Sequence, residues 1–363
     1  MHNRLCFVGK YTKKNITFAS DMAEKVNIFS ISEKTGYSVS TVSRVLSGKA
    51  ERYRISKKAV DLITQEANRC NYRPNMAAQT LRTQKSQTVG LLVPGIDNPF
   101  FATLAATVIQ MLEARGYHTL LADSQESPRE EEQALQMFRS RSVDGIICVP
   151  VATTPALHEQ VSRIIPMVLI DRYFEQTSLP YVCTDNHAGA SIAAQYLLEK
   201  GYSRILAIQG VPTSMPNRER VRGFLDALQD QPVCTAIAGD AFSVENGYRE
   251  TLAAFPPVSG NAADRPYDAI FAFSSTILLG VIQALRELHL QVGKDVGVIS
   301  YDNNGFLDFL DPAVTRVEQH VKEIGQMAVD ILFKIMDARQ AGLPEPAAEH
   351  RLIAPTLIVR ASC

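Results

Sequence analysis

The sequence predicts an α/β protein with a small helical head and a two-lobed body built on two parallel sheets. Residues 27–73 show only helical periodicity, whereas from Thr88 onward apolar strand-like runs alternate with helical segments. The alternation is typical of parallel strands covered by helices. It contains too many strands for one comfortable sheet, so we expect two lobes. A ligand would then bind between them, at the carboxyl ends of the strands.

Charge is divided unevenly along the 363 residues, although the net charge is only −1. Residues 1–85 carry 16 Lys and Arg against 6 Asp and Glu, and the remainder carries 21 against 32. A basic head on an acidic body is the electrostatic pattern of a protein that binds nucleic acid through its head.

Two short helices joined by a turn begin the head. Asn27 can cap a helix over Ile28–Thr35, after which Gly36 and Tyr37 turn the chain. Ser38 can cap a second helix, with Val42, Val45 and Leu46 on one face and polar side chains on the other. This arrangement predicts a helix-turn-helix, whose second helix enters the major groove of DNA.

A basic loop and a third helix complete the head. Arg52 and Arg54 in the loop are either phosphate contacts or solvated charges, and Ser56 can cap a helix running to Asn71. Three helices around Val42, Leu46 and Ile63 would form one small core.

Residues 74–86 follow as a hinge. Pro74 can occupy the first turn of a helix over about eight residues, fewer than the roughly 12–15 at which isolated helices become marginally stable. We expect this segment to be helical only when something holds it. An ordinary linker is the alternative.

The body is predicted as a series of strands and helices. The strands are 89–94, 118–123, 145–149, 167–170, 181–184, 205–209, 234–238, 269–273 and 296–300. The helices are 100–115, 129–141, one near Leu157, 187–200, 220–228, 244–255 and 277–289.

The remaining features narrow the class of protein. The six cysteines are scattered with no CxxC pair, which predicts reduced thiols and neither a metal site nor a cofactor. No apolar run approaches a bilayer span, and the apolar stretch Leu5–Val8 is too short for a signal peptide. We therefore expect a cytoplasmic protein with no membrane partner and a poorly ordered extension over residues 1–26.

Parallel sheets of this kind also occur in two other classes of protein. An enzyme is not expected, because no GxGxxG follows a strand and no P-loop, GxSxG or paired-histidine motif occurs. A sugar-binding transport protein shares the expected two-lobed body. The basic head and the absent signal peptide argue against it.

Several runs resemble signatures of the lactose/galactose-repressor (LacI/GalR) family of transcription regulators. They are TVSRVLSG at 41–48, NYRPN at 71–75, VGLLVP at 89–94, IDR at 170–172, TDN at 184–186, GF at 223–224 and the closing strand PTLIVRAS at 355–362. The resemblance covers about residues 27–360. It implies a body like that of periplasmic binding proteins.

Two branches of the family remain open. The lengthened loop 48–56 and the stretches 273–281 and 302–310 resemble the fructose-repressor branch. The sucrose-operon repressors share the long loop and resemble residues 179–185.

The resemblance implies which residues of the head bind DNA. Val39, Ser40 and Arg44 occupy the base-reading positions, where Arg44 can form a fork onto guanine and Val39 can touch a thymine methyl group. Leu81 matches a hinge leucine that wedges into the minor groove. The full DNA-binding set is Asn27, Val39, Ser40, Thr41, Ser43, Arg44, Arg52, Arg54, Asn75 and Leu81.

The resemblance also implies an effector cleft. Its expected residues are Asp97, Phe100, Phe101, Asp171, Arg172, Arg220, Ser274, Ser275 and Asp302. Asp97 and Arg172 could instead form loop or lobe-closing salt bridges. Aromatic rings beside carboxylates suit a sugar.

One departure from the family pattern bears on the effector. Ser274 and Ser275 stand where Asn-Asp is usual in the family, which puts a plain hexose in doubt. Hydroxyls together with Arg172 and Arg220 suit a phosphate. The hypothesis is therefore a fructose phosphate such as fructose 1-phosphate, and the alternative is fructose or another free sugar.

The domain limits follow from these assignments. They are an extension at 1–26, a helix-turn-helix domain at 27–73, a hinge at 74–86 and a body at 87–363. The first lobe takes about 87–184 plus 318–342, and the second about 185–317 plus 343–363. We expect a nucleoid-associated bacterial repressor that binds operator DNA as a homodimer, with a tetramer as the alternative. A sugar or sugar phosphate would release it from the operator.

Overall fold

The computed structural model describes residues 27–72, 85–255 and 265–363. Two compact units divide the chain between Gln84 and Lys85. We call the described residues of the first unit the head and those of the second unit the body. The predicted extension and nearly all of the predicted hinge, including Asn75 and Leu81, lie outside the described residues.

The head consists of three helices with capped N-termini, namely α1 (Ile28–Thr35), α2 (Val39–Leu46) and α3 (Lys57–Arg69). Asn27 Oδ1 accepts hydrogen bonds from the amides of Phe29 and Ser30. The hydroxyl oxygens of Ser38 and Ser56 likewise accept hydrogen bonds from main-chain amides in the first turns of α2 and α3. The predicted caps are therefore those observed, because short polar side chains satisfy amides that have no intrahelical partner.

A small apolar core holds these helices together. Ile31, Val42, Val45, Ile63 and Ala67 are buried in it. Leu46, which the sequence placed in this core, is only partly buried at its edge.

The body contains two six-stranded sheets, each of which forms one lobe. The first lobe has the strand order β11-β5-β4-β3-β1-β2, with every neighbouring pair parallel. Its strands are β1 (Thr88–Val93), β2 (His118–Asp123), β3 (Gly145–Cys148), β4 (Met167–Ile170), β5 (Tyr181–Thr184) and β11 (His350–Ile353).

The second lobe has the order β12-β10-β9-β8-β6-β7, in which only β12 runs antiparallel to its neighbour. Its strands are β6 (Arg204–Ile208), β7 (Cys234–Ala238), β8 (Ala269–Ala272), β9 (Gly297–Tyr301), β10 (Thr315–Glu318) and β12 (Thr356–Ile358).

Helices cover both sheets. They are α4 (Pro99–Glu113), α5 (Pro128–Ser140), α6 (Ala156–Ser162), α7 (Asn186–Glu199), α8 (Met215–Leu228), α9 (Val244–Ala254), α10 (Ser275–Glu287) and α11 (Val321–Gln340), with a 3-10 turn at Gly305–Phe309. None of the described helices combines the length and apolar composition needed to span a bilayer.

The chain crosses between the lobes after β5, between β10 and α11, and between β11 and β12. The last crossing departs from the expected limits, which put all of 343–363 in the second lobe. Residues 350–353 instead pair with β5 of the first lobe. Within the expected closing strand at 355–362, only Thr356–Ile358 forms a strand, β12 of the second lobe. Strand β11 was not predicted.

Three further differences concern element limits. Helix α8 begins at Met215 rather than at Arg220, because Ser214 and Pro216 form a helix start that its polar first turn obscures in the sequence. Strand β10 and helix α11 were not predicted. The third helix of the head ends at Arg69, before the predicted Asn71.

Candidate DNA-binding head and effector cleft

The second helix of the head presents a polar surface. Ser40 and Arg44 are exposed, whereas Val39, Thr41 and Ser43 are half-buried. The Ser38 hydroxyl lies 2.9 Å from the hydroxyl oxygens of both Ser40 and Thr41. All five predicted DNA-binding residues of α2 are thus on one short, capped helix.

The other predicted DNA-binding residues of the head lie around that helix in the sequence. Asn27 is exposed but uses its side-chain oxygen to cap α1. Arg52 and Arg54 are exposed in the loop between α2 and α3. Neither arginine forms a salt bridge with any residue that the structure describes, which leaves both charges available to phosphate.

A cavity in the body gathers most of the predicted effector residues. Seven of the nine line it, namely Phe100, Phe101, Asp171, Arg172, Arg220, Ser274 and Asp302. Asp171 follows β4, Ser274 follows β8 by two residues and Asp302 follows β9, so strand ends from both lobes converge here. This is the location that parallel sheets offer to a ligand.

Arg220 is held firmly at this cavity. Its Nε donates to Asn186 Oδ1 at 2.7 Å, and its Nη1 donates to the carbonyl oxygen of Phe273 at 2.5 Å. The Tyr301 ring lies against the guanidinium, with its centre 3.7 Å from the guanidinium carbon. These contacts fix the orientation of the charge while leaving Nη2 outside both hydrogen bonds.

Two aspartates face the cavity from opposite lobes. Asp171 has φ +63° and Asp302 has φ +74°, conformations that cost energy for a residue other than glycine. Burial raises the pKa of Asp171 to about 6, with Arg172 and Arg220 opposing the shift and the Asp302 charge adding to it. A buried carboxylate with this pKa binds hydrogen-bond donors well, because donors replace the water it has lost.

Asp302 belongs to a chain of hydrogen bonds that links the lobes. Its Oδ1 accepts from Gln319 Nε2 at 2.6 Å, and Gln319 Oε1 accepts from the Thr184 hydroxyl at 2.7 Å. Its Oδ2 accepts from the amide and hydroxyl of Ser275. Thr184 ends β5 of the first lobe, so any movement of one lobe changes the surroundings of Asp302.

Arg172 is already paired. Its two terminal nitrogens donate to the two carboxylate oxygens of Glu126 at 2.8 and 2.6 Å. Its Nε is buried, has no hydrogen-bond partner in the described part of the chain and lies 3.7 Å from Asp171 Oδ2. The bidentate face that would bind a phosphate is therefore occupied, and one donor remains free for an uncharged acceptor.

Two predicted effector residues do not line the cavity. Asp97 is exposed on the loop before α4. Ser275 is buried behind Asp302 and bonds to it and to Asn304. Ser275 therefore positions the aspartate instead of facing the cavity.

Five lining residues escaped the sequence analysis, namely Asn98, Glu126, Pro216, Phe242 and Gln319. Asn98 caps α4 and adjoins the predicted Phe100, which was a usable signal. Gln319 directly follows β10, at a crossing that the expected lobe limits put near residue 318, but no motif marks its side chain as part of the cavity.

The cavity is small, with a volume of about 40 Å³. Ligand pockets ordinarily measure roughly 300–1,000 Å³. The lobes must therefore move apart, or the side chains between them must rearrange, before a sugar can enter.

One buried polar cluster lies away from this cavity. Glu131, Cys148 and His158 bring metal-ligand atoms within 4.8 Å of one another. Both oxygens of Glu131 accept main-chain amides, from Val151 at 3.0 Å and Ala152 at 2.7 Å, and Oε1 also lies 2.8 Å from His158 Nε2. Hydrogen bonds within the fold thus account for the carboxylate, and we assign the cluster to stability.

The two units together define a class of protein. A helix-turn-helix head joined in one chain to a two-lobed ligand-binding body is the arrangement of ligand-responsive transcription regulators. The model of the periplasmic binding protein-like domain matches residues 194–363.

Similar proteins identify the family. The ribose operon repressor of Halalkalibacterium halodurans is 30% identical over 322 residues, covering 89% of this chain and 92% of the relative. The HTH-type transcriptional regulator MalR of Streptomyces coelicolor is 31% identical, covering 92% and 95%. The Lac repressor dimer bound to operator and the anti-inducer ONPF has the same fold, with a TM-score of 0.80, 21% identity and coverage of 93% and 99%. The chain belongs to the LacI family of transcriptional regulators, and it is a regulator rather than an enzyme.

Proposed function

We propose that this chain represses a carbohydrate operon by binding its operator as a homodimer, and that a sugar in the body cleft releases it. The observation that carries this proposal is the convergence of Asp171, Arg220 and Asp302 with three phenylalanine rings on one cavity between the lobes. Carboxylates and a fixed guanidinium bind hydroxyl groups, and aromatic rings pack against the apolar faces of a sugar. The names of the relatives, which concern ribose and other operons, support the same class of ligand.

The favoured effector is an uncharged monosaccharide. Glu126 accepts from both terminal nitrogens of Arg172, so this arginine has no free pair of donors for a phosphate. The cavity offers carboxylates and isolated hydrogen-bond donors instead. One sugar hydroxyl group would accept a hydrogen bond from the unpartnered Nε of Arg172 and donate one to the nearby Asp171 carboxylate. Fructose and ribose are the first sugars to test.

Fructose 1-phosphate is the second candidate. It is favoured by Arg220, whose Nη2 lies outside the two hydrogen bonds that hold the side chain. Binding of a phosphate would require Arg172 to leave Glu126. The half-exposed carboxylate of Glu126 makes that exchange feasible.

Operator binding would use the head and the hinge. Arg44, Val39 and Ser40 would read bases, while Thr41, Ser43, Arg52 and Arg54 would contact phosphates. The hinge would become helical when two subunits meet on a palindromic site, with Leu81 wedged into the minor groove. A ligand that binds one lobe arrangement better than the other would then change DNA affinity. Such a protein would work in the cytoplasm.

Fluorescence anisotropy tests this function directly. The full chain is titrated onto labelled DNA from upstream of its own gene, at fixed salt, with fructose, ribose, sucrose or fructose 1-phosphate present. We expect tight binding without ligand and at least tenfold weaker binding with one free sugar. The control is the same titration with a scrambled DNA of equal length.

Each outcome discriminates between proposals. Release by fructose 1-phosphate alone would overturn the free-sugar effector and leave the operator function intact. Failure to prefer the upstream DNA over the scrambled DNA under every condition would overturn the operator function itself.

A further inference from the structure

The exposed guanidinium of Arg44 lies on an aromatic ring. Its carbon is 4.1 Å from the centre of the Tyr53 ring. Arg44 is on α2, whereas Tyr53 belongs to the loop between α2 and α3. Among the residues described in the head, Arg44 forms no salt bridge, so no carboxylate competes with the ring for its guanidinium.

The loop that carries Tyr53 is hydrogen-bonded to the end of α2. Gly48 has φ +70°, and this turn lets the amide of Lys49 donate to the carbonyl oxygen of Arg44 at 2.9 Å. The helix therefore ends in a Schellman motif whose hydrogen bond from Lys49 returns to Arg44, the residue whose side chain meets the ring. The loop starts from a fixed point relative to Arg44.

The rest of the loop is a compact hydrogen-bonded turn. The amides of Tyr53, Arg54 and Ile55 donate to the carbonyl oxygens of Lys49, Glu51 and Ala50, respectively. Ala50 and Ile55 also pack against the core of the head. Tyr53 is thus anchored on both sides, although its ring stays accessible.

We propose that Tyr53 is a positioning residue that holds Arg44 in the orientation needed to read a base. This inference rests on the proposed operator function and deepens it. A bidentate contact to guanine requires the planar guanidinium to meet the base edge in one orientation, and arginine otherwise samples many rotamers. A ring packed against the guanidinium restricts its rotation, and a cation–π contact uses none of its N–H groups as a hydrogen-bond donor.

The proposal predicts a loss of specificity rather than of general DNA affinity. An exposed cation–π contact corresponds to about a two- to fivefold change in an equilibrium constant. Tyr53→Ala should therefore weaken operator binding about two- to fivefold and flatten the preference at the base that Arg44 reads. Affinity for random-sequence DNA should not change, since phosphate contacts provide it.

The experiment uses the full chain and an operator selected from a randomised double-stranded library. Anisotropy is measured for the operator, its single-base variants and random DNA, with wild type, Tyr53→Ala, Tyr53→Phe, Arg44→Ala and the double variant Arg44→Ala/Tyr53→Ala. Leu62→Ala, which removes a comparably exposed apolar side chain on α3, is the matched control. Circular dichroism establishes that each variant is folded.

Three results would support the proposal together. Tyr53→Phe should retain the wild-type base preference because it keeps the ring. Tyr53→Ala should lose preference at the same position as Arg44→Ala. The double variant should bind no more weakly than Arg44→Ala, since the ring acts through the arginine.

Other results would overturn it. An equal loss with Tyr53→Phe and Tyr53→Ala would show that the hydroxyl acts, and additive losses in the double variant would show that Tyr53 contacts DNA independently of Arg44. Full base preference in Tyr53→Ala would overturn this inference but not the operator function. A wild-type chain without any base preference would overturn the operator function instead.

Discussion

The guanidinium of Arg220 lies over the ring of Tyr301, with its carbon 3.7 Å from the ring centre, and this contact joins α8 to the end of β9 beside the cleft. Asn186 at the start of α7 completes the group, since its side-chain oxygen accepts from Arg220 and its carbonyl oxygen accepts from the Tyr301 hydroxyl. Three elements of the second lobe therefore fix one charge. A ligand bound to that charge would be sensed by all three.

Replacing Arg220 tests whether this charge binds the effector. We expect Arg220→Gln to weaken sugar affinity at least tenfold, because a hydrogen bond to a charged group contributes about 1.5–3 kcal/mol. Isothermal titration calorimetry measures this affinity, and anisotropy should show a corresponding loss of sugar-induced release. Arg222→Gln is the matched control, on the same helix but exposed and paired with Glu219. Wild-type sugar affinity in Arg220→Gln would remove Arg220 from the site.

The raised pKa of Asp171 predicts a pH dependence of stability. Burial places this pKa near 6 in the folded protein, against 3.8 for an unperturbed carboxyl. The folded state thus holds the proton of Asp171 more tightly than the unfolded state does. The contribution of the protonated carboxyl to the free energy of unfolding is therefore fully present below pH 3.8 and is lost as pH rises through 6. At neutral pH the ionised carboxylate costs up to about 3 kcal/mol of folding free energy.

Urea unfolding at pH 5.0 and pH 7.5 measures that contribution. We expect Asp171→Asn to stabilise the protein at pH 7.5 relative to wild type and to reduce the difference between the two pH values. The same variant should bind sugar more weakly, because the amide is a poorer acceptor for hydroxyl groups. An unchanged difference in unfolding free energy between the two pH values would contradict the assignment.

Glu131 provides a test of buried polar structure away from the cleft. Its carboxylate satisfies two main-chain amides and His158, all within the first lobe. We expect Glu131→Ala to destabilise the protein by about 3–5 kcal/mol, because it leaves buried polar groups without partners.

Chemical denaturation measures this loss, and Glu132→Ala on the exposed side of the same helix is the control. Glu132 bonds only to Gln136 among the described residues, so its removal should change stability by less than about 0.5 kcal/mol. Similar losses in the two variants would show that the carboxylate of Glu131 has no special role.

Continuous burial made some of the strands predictable. β3 and β4 are buried along their whole length, and residues buried on both faces read as unbroken apolar runs. β11 is short and mostly exposed, so the same signal is absent there, whereas the shorter β12 lies within the closing strand that the family resemblance implied. Which lobe each joins depends on pairing across the crossing, which no local pattern reveals.

The site was predictable only in part for a related reason. Asp171 and Asp302 directly follow strands, and parallel topology brings such residues together. The pair Arg172 and Glu126 joins residues 46 positions apart, and nothing in the sequence indicates it. That pairing favours a free sugar over a sugar phosphate as the effector.

Gly223 on α8 offers a final test of how closely the helices of the second lobe pack. A methyl group built at this glycine would lie 2.1 Å from the carbonyl oxygen of His187 on α7. Glycine to alanine normally favours a helix by about 1 kcal/mol, but here the added carbon would meet main-chain atoms that cannot turn aside. We expect Gly223→Ala to destabilise the protein by about 1–3 kcal/mol in urea unfolding. Gly305→Ala is the matched control, since no heavy atom lies within 4 Å of its added methyl group. Equal stability of Gly223→Ala and Gly305→Ala would mean that α7 and α8 can move apart without cost. The close contact between these helices would then not be what holds Asn186 against Arg220.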